Sequence, residues 1–207
     1  MKKSNGLKKV VCGMVIAFAL MILGGNTLTT NAASYKTVYK KLLKQGNRQF
    51  KVKSQHGTYT TTISMKYFTL VNIDRKGAPE LITLSEPYGN WIDVFTIKNG
   101  KLKYLGKELN KYMGGYVRYN PSKKGLVVAA GGSGSAGDAL IQMSGNGLKE
   151  KVSTLQIFNQ KTTYMLNYKT CSYKTYKKYT KKYFAKKNIK LAYFVENNKF
   201  NRSKKLK

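Results

Sequence analysis

An α+β domain, mostly antiparallel sheet with an N-terminal helix and a C-terminal amphipathic helix, is the fold class the sequence predicts. Three observations lead there. Tyr35, Val38, Tyr39, Leu42 and Leu43 recur at helical spacing. The middle of the chain is a series of short runs rich in Thr, Ile, Val, Tyr and Phe, which suit strands. The helical period then returns in Tyr173, Tyr176, Tyr179, Tyr183 and Phe184.

The first helix has Ser34 to cap its start and Gly46 to end it. Strands are expected within residues 58–73 and 81–84, and at 91–97 and 101–105, where Asn99-Gly100 is a strong hairpin signal. Further strands are expected at 115–119, 126–130, 139–143, 152–158 and 163–168. A helix from about Ser172 to Lys187 carries a tyrosine face and a lysine face, and a last strand runs over 190–195. The single domain is expected to span 34–198, and the basic stretch 199–207 is expected to be disordered.

Residues 1–33 read as a secretory signal. Lys2, Lys3, Lys8 and Lys9 precede an apolar run from Val10 to Leu23, and Ala32 and Ala33 offer a small-residue exit. The run is shorter than the roughly 18 residues of a spanning helix. Cys12 has Lys9 where a lipid-attachment signal needs a small apolar residue, so it is not placed as a lipid-attachment cysteine. Only Cys171 remains beyond the signal, so an internal disulfide is ruled out and the domain must rely on a hydrophobic core. The one histidine, His56, and this one cysteine are too few for a zinc site.

The charge balance is extreme. There are 39 Lys and Arg against eight Asp and Glu, a net charge of +31. Such an excess repels itself and attracts anionic polymers. Only four of the basic residues are Arg. Lysine meets charge as a point, without the bidentate fork of arginine, which favours a repeating polyanion over a unique partner.

Two motifs invite enzyme readings. Residues 126–137 place G-x-G-x-x-G after an apolar strand. A dinucleotide turn needs a following helix whose N-terminus holds the pyrophosphate, and Ser144-Gly145-Asn146-Gly147 leaves little room for one. A glycine-rich turn between two strands is the expected form, with no cofactor. Ser133-Gly134-Ser135-Ala136-Gly137 is one residue short of a nucleophile elbow. Ser135 with His56 and Asp138 is therefore the alternative reading, a secreted hydrolase.

The segment Tyr67–Ile82 contains Asn72-Ile73-Asp74-Arg75-Lys76-Gly77-Ala78-Pro79-Glu80-Leu81. It resembles the D-I-D-x-D-G-x-P-E-L loop of secreted proteins and lipoproteins of Firmicutes that have no assigned function, and related loops bind calcium in extracellular modules. The resemblance implies an α+β secreted domain and no activity. Asn72 and Lys76 stand where that pattern has acids, while Asp74, Gly77, Pro79, Glu80 and Leu81 match. An ammonium has no lone pair for a cation. The loop is accordingly read as a degenerate calcium-like turn (Asn72, Asp74, Glu80) rather than a metal site, with Lys76 expected to pair with Asp74 or Glu80.

The functional expectation is a secreted, non-catalytic protein of the cell envelope. Its partners are expected to be teichoic acid, acidic polysaccharide or an anionic membrane surface. Lys177, Lys178, Lys181, Lys182, Lys186, Lys187, Lys204 and Lys205 are the candidate contacts. Charge alone does not separate these partners from extracellular nucleic acid, because the long-range attraction carries no sequence information.

Overall fold

The computed structural model describes residues 34–54, 57–86, 91–109, 115–145 and 147–207. Residues 1–33, where a signal is expected, and His56 lie outside them. The fold is α+β and mostly antiparallel sheet, with helices near both ends.

Helix α1 (Tyr35–Lys44) buries Val38, Tyr39, Leu42 and Leu43, the stripe its spacing dictates. Ser34 stands at the cap position, but its side chain makes no capping bond; its carbonyl accepts from the N–H of Thr37 instead. Gly46, at φ +68°, turns the chain out of the helix in the left-handed region that suits glycine. The hairpin β1 (Asn47–Ser54) and β2 (Gly57–Ser64) follows. The expected run 58–73 divides at Met65, where β3 (Tyr67–Val71) opens a new sheet.

That sheet continues through β4 (Glu80–Leu84), β5 (Trp91–Lys98) and β6 (Lys101–Leu109). Asn99 and Gly100 both take positive φ, 51° and 70°, as the tight hairpin between β5 and β6 requires. The chain then builds β7 (Tyr116–Asn120), β8 (Gly125–Ala130), β9 (Ser135–Ser144), β10 (Gly147–Ile157), β11 (Thr163–Leu166) and β12 (Lys169–Cys171). Next comes α2 (Tyr173–Phe184), with the Ser172 hydroxyl accepting from the N–H of Thr175 as its cap. A 3-10 turn covers Lys186–Asn188.

The expected last strand is split. β13 (Lys190–Tyr193) pairs with β7 at the edge of the seven-stranded sheet. β14 (Val195–Glu196) pairs with β3 at the edge of the five-stranded sheet. The chain thus steps between sheets over one residue, Phe194, which packs into the core between them.

Side chains alternate along the strands, so each sheet has two faces to cover. Between the sheets, Ile82, Leu84, Ile92 and Val94 meet Leu126, Val128, Ala139 and Ile141. On the outer face of the five-stranded sheet, Phe68, Leu81, Phe95 and Tyr104 pack against α1 and the β1–β2 hairpin. On the outer face of the seven-stranded sheet, Val127, Leu140 and Val152 receive Phe184, Tyr179 and Tyr183 from α2. The order of layers is α1 with the hairpin, sheet, sheet, α2. At Gly137 a Cβ would collide with the Thr154 carbonyl, so glycine there permits the close approach of β9 and β10.

The stretch 199–207 corrects the expectation of disorder. It forms α3 (Lys199–Lys205), capped by the Asn198 side chain, and Leu206 is 1% exposed within the α1 core. Asn197 anchors it, donating to the carbonyls of Leu43 and Met65 and accepting from Arg202. Emptying a buried leucine site costs about 2–5 kcal/mol. Leu206→Ala is therefore expected to lower the urea-unfolding free energy by that order, and unchanged stability would contradict the docked C-terminus.

Candidate polyanion-binding face

The candidate lysines divide between two outer layers. Lys177, Lys178, Lys181 and Lys182 are exposed on α2, and Lys186 and Lys187 are exposed on the turn that follows. Lys204 and Lys205 are exposed on α3, which packs into the α1 core beyond the other sheet. The two groups do not form one surface, which corrects their treatment as a single contact set.

On α2 the inward face holds Phe184, Tyr179 and Tyr183 against the sheet, and this fixes the lysines outward. Tyr173, at the start of the helix, departs from the expected buried face and is 54% exposed. Lys181 and Lys182 sit in the last turn, where cations complement the helix dipole. The helix also holds lysines over rings: Lys177 Nζ lies 5.7 Å from the Tyr173 centroid and Lys182 Nζ 5.2 Å from that of Tyr183.

Tertiary structure adds a residue that sequence spacing did not bring to this site. Asn120 donates to the Tyr183 carbonyl at 2.8 Å, which ties the β7–β8 turn to the end of α2. Lys123 of that turn lies with its Nζ 5.6 Å from the Tyr183 ring. Lys174 and Lys190 are also exposed beside the candidate set. No Asp or Glu occurs between Glu150 and Glu196, so this whole face has no carboxylate of its own chain segment.

The acids are spent elsewhere. Only Glu86 and Glu196 of the eight are exposed. Asp138 pairs with Arg118. Asp93, 5% exposed, accepts from the Tyr104 hydroxyl at 2.8 Å. Glu80, 1% exposed, accepts from the Ile73 N–H at 2.8 Å and from the Thr96 hydroxyl at 3.4 Å.

Glu80 thereby closes the calcium-like loop with its own backbone. Asn72 is exposed, and Asp74 accepts from the Lys76 backbone N–H at 2.7 Å. The Lys76 side chain is exposed, and among the described residues it forms no ion pair with Asp74 or Glu80, contrary to expectation. The turn is held by Asp74, by Glu80 and by positive φ at Arg75 and Gly77. Because Glu80 is turned inward and engaged, Lys76→Asp is expected to create no micromolar calcium site in a calorimetric titration. Tight calcium uptake by that variant would show that the carboxylates can regroup.

The glycine-rich segment is the turn of an antiparallel β8–β9 hairpin, with strand rather than helix after it. The dinucleotide turn therefore lacks its helix. The Ser135 hydroxyl is engaged locally: it accepts from the Gly132 N–H at 2.8 Å and lies 3.2 Å from the Gly132 carbonyl. Asp138 pairs with Arg118, and His56, the base that the hydrolase reading requires, lies outside the described residues.

Comparisons of the chain with family models, with curated proteins and with solved structures find no match.

Two carboxyls, buried Glu80 and half-buried Glu108, give the protein a pH signature. Burial pushes Glu80 up to about 7. Burial, and after it the charge of Glu150, pushes Glu108 up to about 7 from an ordinary 4.5. A carboxyl with a raised folded pKa stabilises the fold fully below its unfolded pKa and loses that contribution as pH rises through the folded value. Stability is thus expected to decline from pH 4.5 toward 7. Glu108→Gln should reduce that decline by on the order of 1–3 kcal/mol in urea unfolding at the two ends of the range. An unchanged pH slope would show that Glu108 is not the group responsible.

Proposed function

We propose that the protein is an exported, non-catalytic binder of anionic cell-envelope polymers, and that the outward face of α2 makes the contact. The observation that carries this reading is a rigidly seated helix presenting Lys177, Lys178, Lys181 and Lys182 outward, in a stretch without a carboxylate. Lys186 and Lys187 extend the same basic surface past the helix. The segment holds no Asp or Glu to pair with these ammonium groups. A polymer with regularly spaced phosphates or carboxylates supplies many weak contacts at once.

The leader-like residues 1–33 support export, and the excess of 35 Lys and Arg over eight Asp and Glu beyond them supports attraction to the anionic polymers outside the membrane. Teichoic acid, acidic polysaccharide and an anionic membrane surface share the required chemistry. The polymer reading is preferred because Phe184, Tyr179 and Tyr183 of α2 pack against the helix's own sheet rather than standing free to enter lipid.

Co-sedimentation with purified walls tests this. Binding is expected to fall steeply with salt as counterions are redistributed. Replacing Lys177, Lys178, Lys181 and Lys182 together by Gln is expected to weaken binding at low salt by about tenfold or more and to flatten its salt dependence. Salt-insensitive binding, or full binding by the quadruple variant, would sink the proposal.

A further inference from the structure

A cavity lies where β11 and β12 lead into α2. It is an open hollow of about 610 Å³ lined by Asn159, Gln160, Lys161, Thr162, Thr163, Tyr164, Thr170 and Cys171. The local fold explains its shape. β10 ends at Ile157, and the loop that follows swings out before β11 returns in antiparallel register. Tyr164 is paired with Cys171 across the β11–β12 ladder, one residue before the Ser172 cap of α2.

The lining has a definite chemistry. It offers two carboxamides and three threonine hydroxyls, each able to donate and accept, with the Lys161 ammonium and the Cys171 thiol beside them and no carboxylate. A single aromatic wall stands among them. Neutral hydrogen-bonding groups of both senses around a ring face match a sugar, which presents hydroxyls at its rim and C–H bonds on its face. A purely apolar guest would leave these amides and hydroxyls unpaired.

The hollow is also continuous with the basic face. The Tyr164 ring packs against Tyr173 and Tyr176 of α2, with centroids 5.0 Å away in each case. Tyr173 is half-exposed and lies beneath Lys177. A chain leaving the cavity past Tyr164 therefore meets Tyr173 and then the lysines of the helix.

We propose that this cavity is a saccharide subsite that seats one sugar ring of a glycosylated anionic polymer, while the polymer's charged groups run along the lysines of α2. The assignment rests on the polyanion reading of α2 and adds the sugar as a second determinant. It commits to a polysaccharide class in which charge and sugar occur together, because neither lysines alone nor the cavity alone uses both features.

The test compares a glycosylated polyol-phosphate teichoic acid with the same polymer stripped of its sugars, so that charge is held constant. The expected result is that the protein binds the glycosylated polymer about tenfold more tightly. Asn159→Ala with Gln160→Ala, both exposed loop positions, should remove that difference and leave binding of the stripped polymer unchanged. The quadruple α2 lysine variant should weaken binding of both polymers. Equal binding of the two polymers by unaltered protein, or a sugar preference that survives the loop double variant, overturns the subsite and leaves the polyanion reading standing. Failure to bind either polymer overturns both. Tighter binding of single-stranded DNA than of the glycosylated polymer, sensitive to the same loop variant, overturns the saccharide assignment in favour of a base.

Discussion

The scarcity of carboxylates, and where the fold puts them, is the constraint on which the rest of the structure depends. With eight acids against 39 basic residues, the chain has few anions to distribute. It turns most of them inward or to half-buried positions, where each does local structural work. Glu80 ties off the β3–β4 loop, Asp93 receives the Tyr104 hydroxyl, and Asp138 holds Arg118 across the seven-stranded sheet. The surface lysines are left with almost no anionic neighbours. The resulting self-repulsion opposes folding and must be offset by apolar burial. Three separate clusters supply that burial, one between the sheets and one on each outer face.

The same arrangement links the core to the proposed contact. Phe184, Tyr179 and Tyr183 seat α2 on its sheet, so the lysines on its other side occupy fixed positions rather than a fluctuating tail. An ordered row loses less conformational freedom when a polymer docks. Asn120 and Lys123 reinforce the end of the helix from a distant turn. At its beginning, the Tyr164, Tyr173 and Tyr176 cluster joins it to the polar hollow. Stability and recognition thus share the aromatic residues, whose rings pack on one side while neighbouring lysines stay hydrated.

The parts of the fold legible in the sequence are those with local signals. The 35–43 stripe, the Asn99-Gly100 turn and the period of α2 all act within a few residues. What was not legible depended on distant partners. β1 reads as alternating charged and polar residues around Phe50 and Val52, and it becomes a strand by pairing with β2 and covering Phe95 and Tyr104. The C-terminal stretch shows mostly Lys and Asn. The bonds of Asn197 to Leu43 and Met65, the Asn198 cap and the burial of Leu206 order it. For the candidate site, the α2 lysines were readable from periodicity. Their separation from Lys204 and Lys205 was not, because the layer a helix occupies is decided by sheet topology. The polar hollow likewise comes from a β11–β12 hairpin whose short second strand carries little signal of its own.

The central claim is that α2, and not net charge spread over the whole surface, makes the anionic contact. The most direct measurement is residue-resolved amide hydrogen exchange with and without a short teichoic acid fragment, at low salt. The account predicts added protection across 173–188 and the 159–164 loop, with α3 unchanged despite its lysines. Uniform small changes over every basic segment, or protection centred on α3, would contradict it.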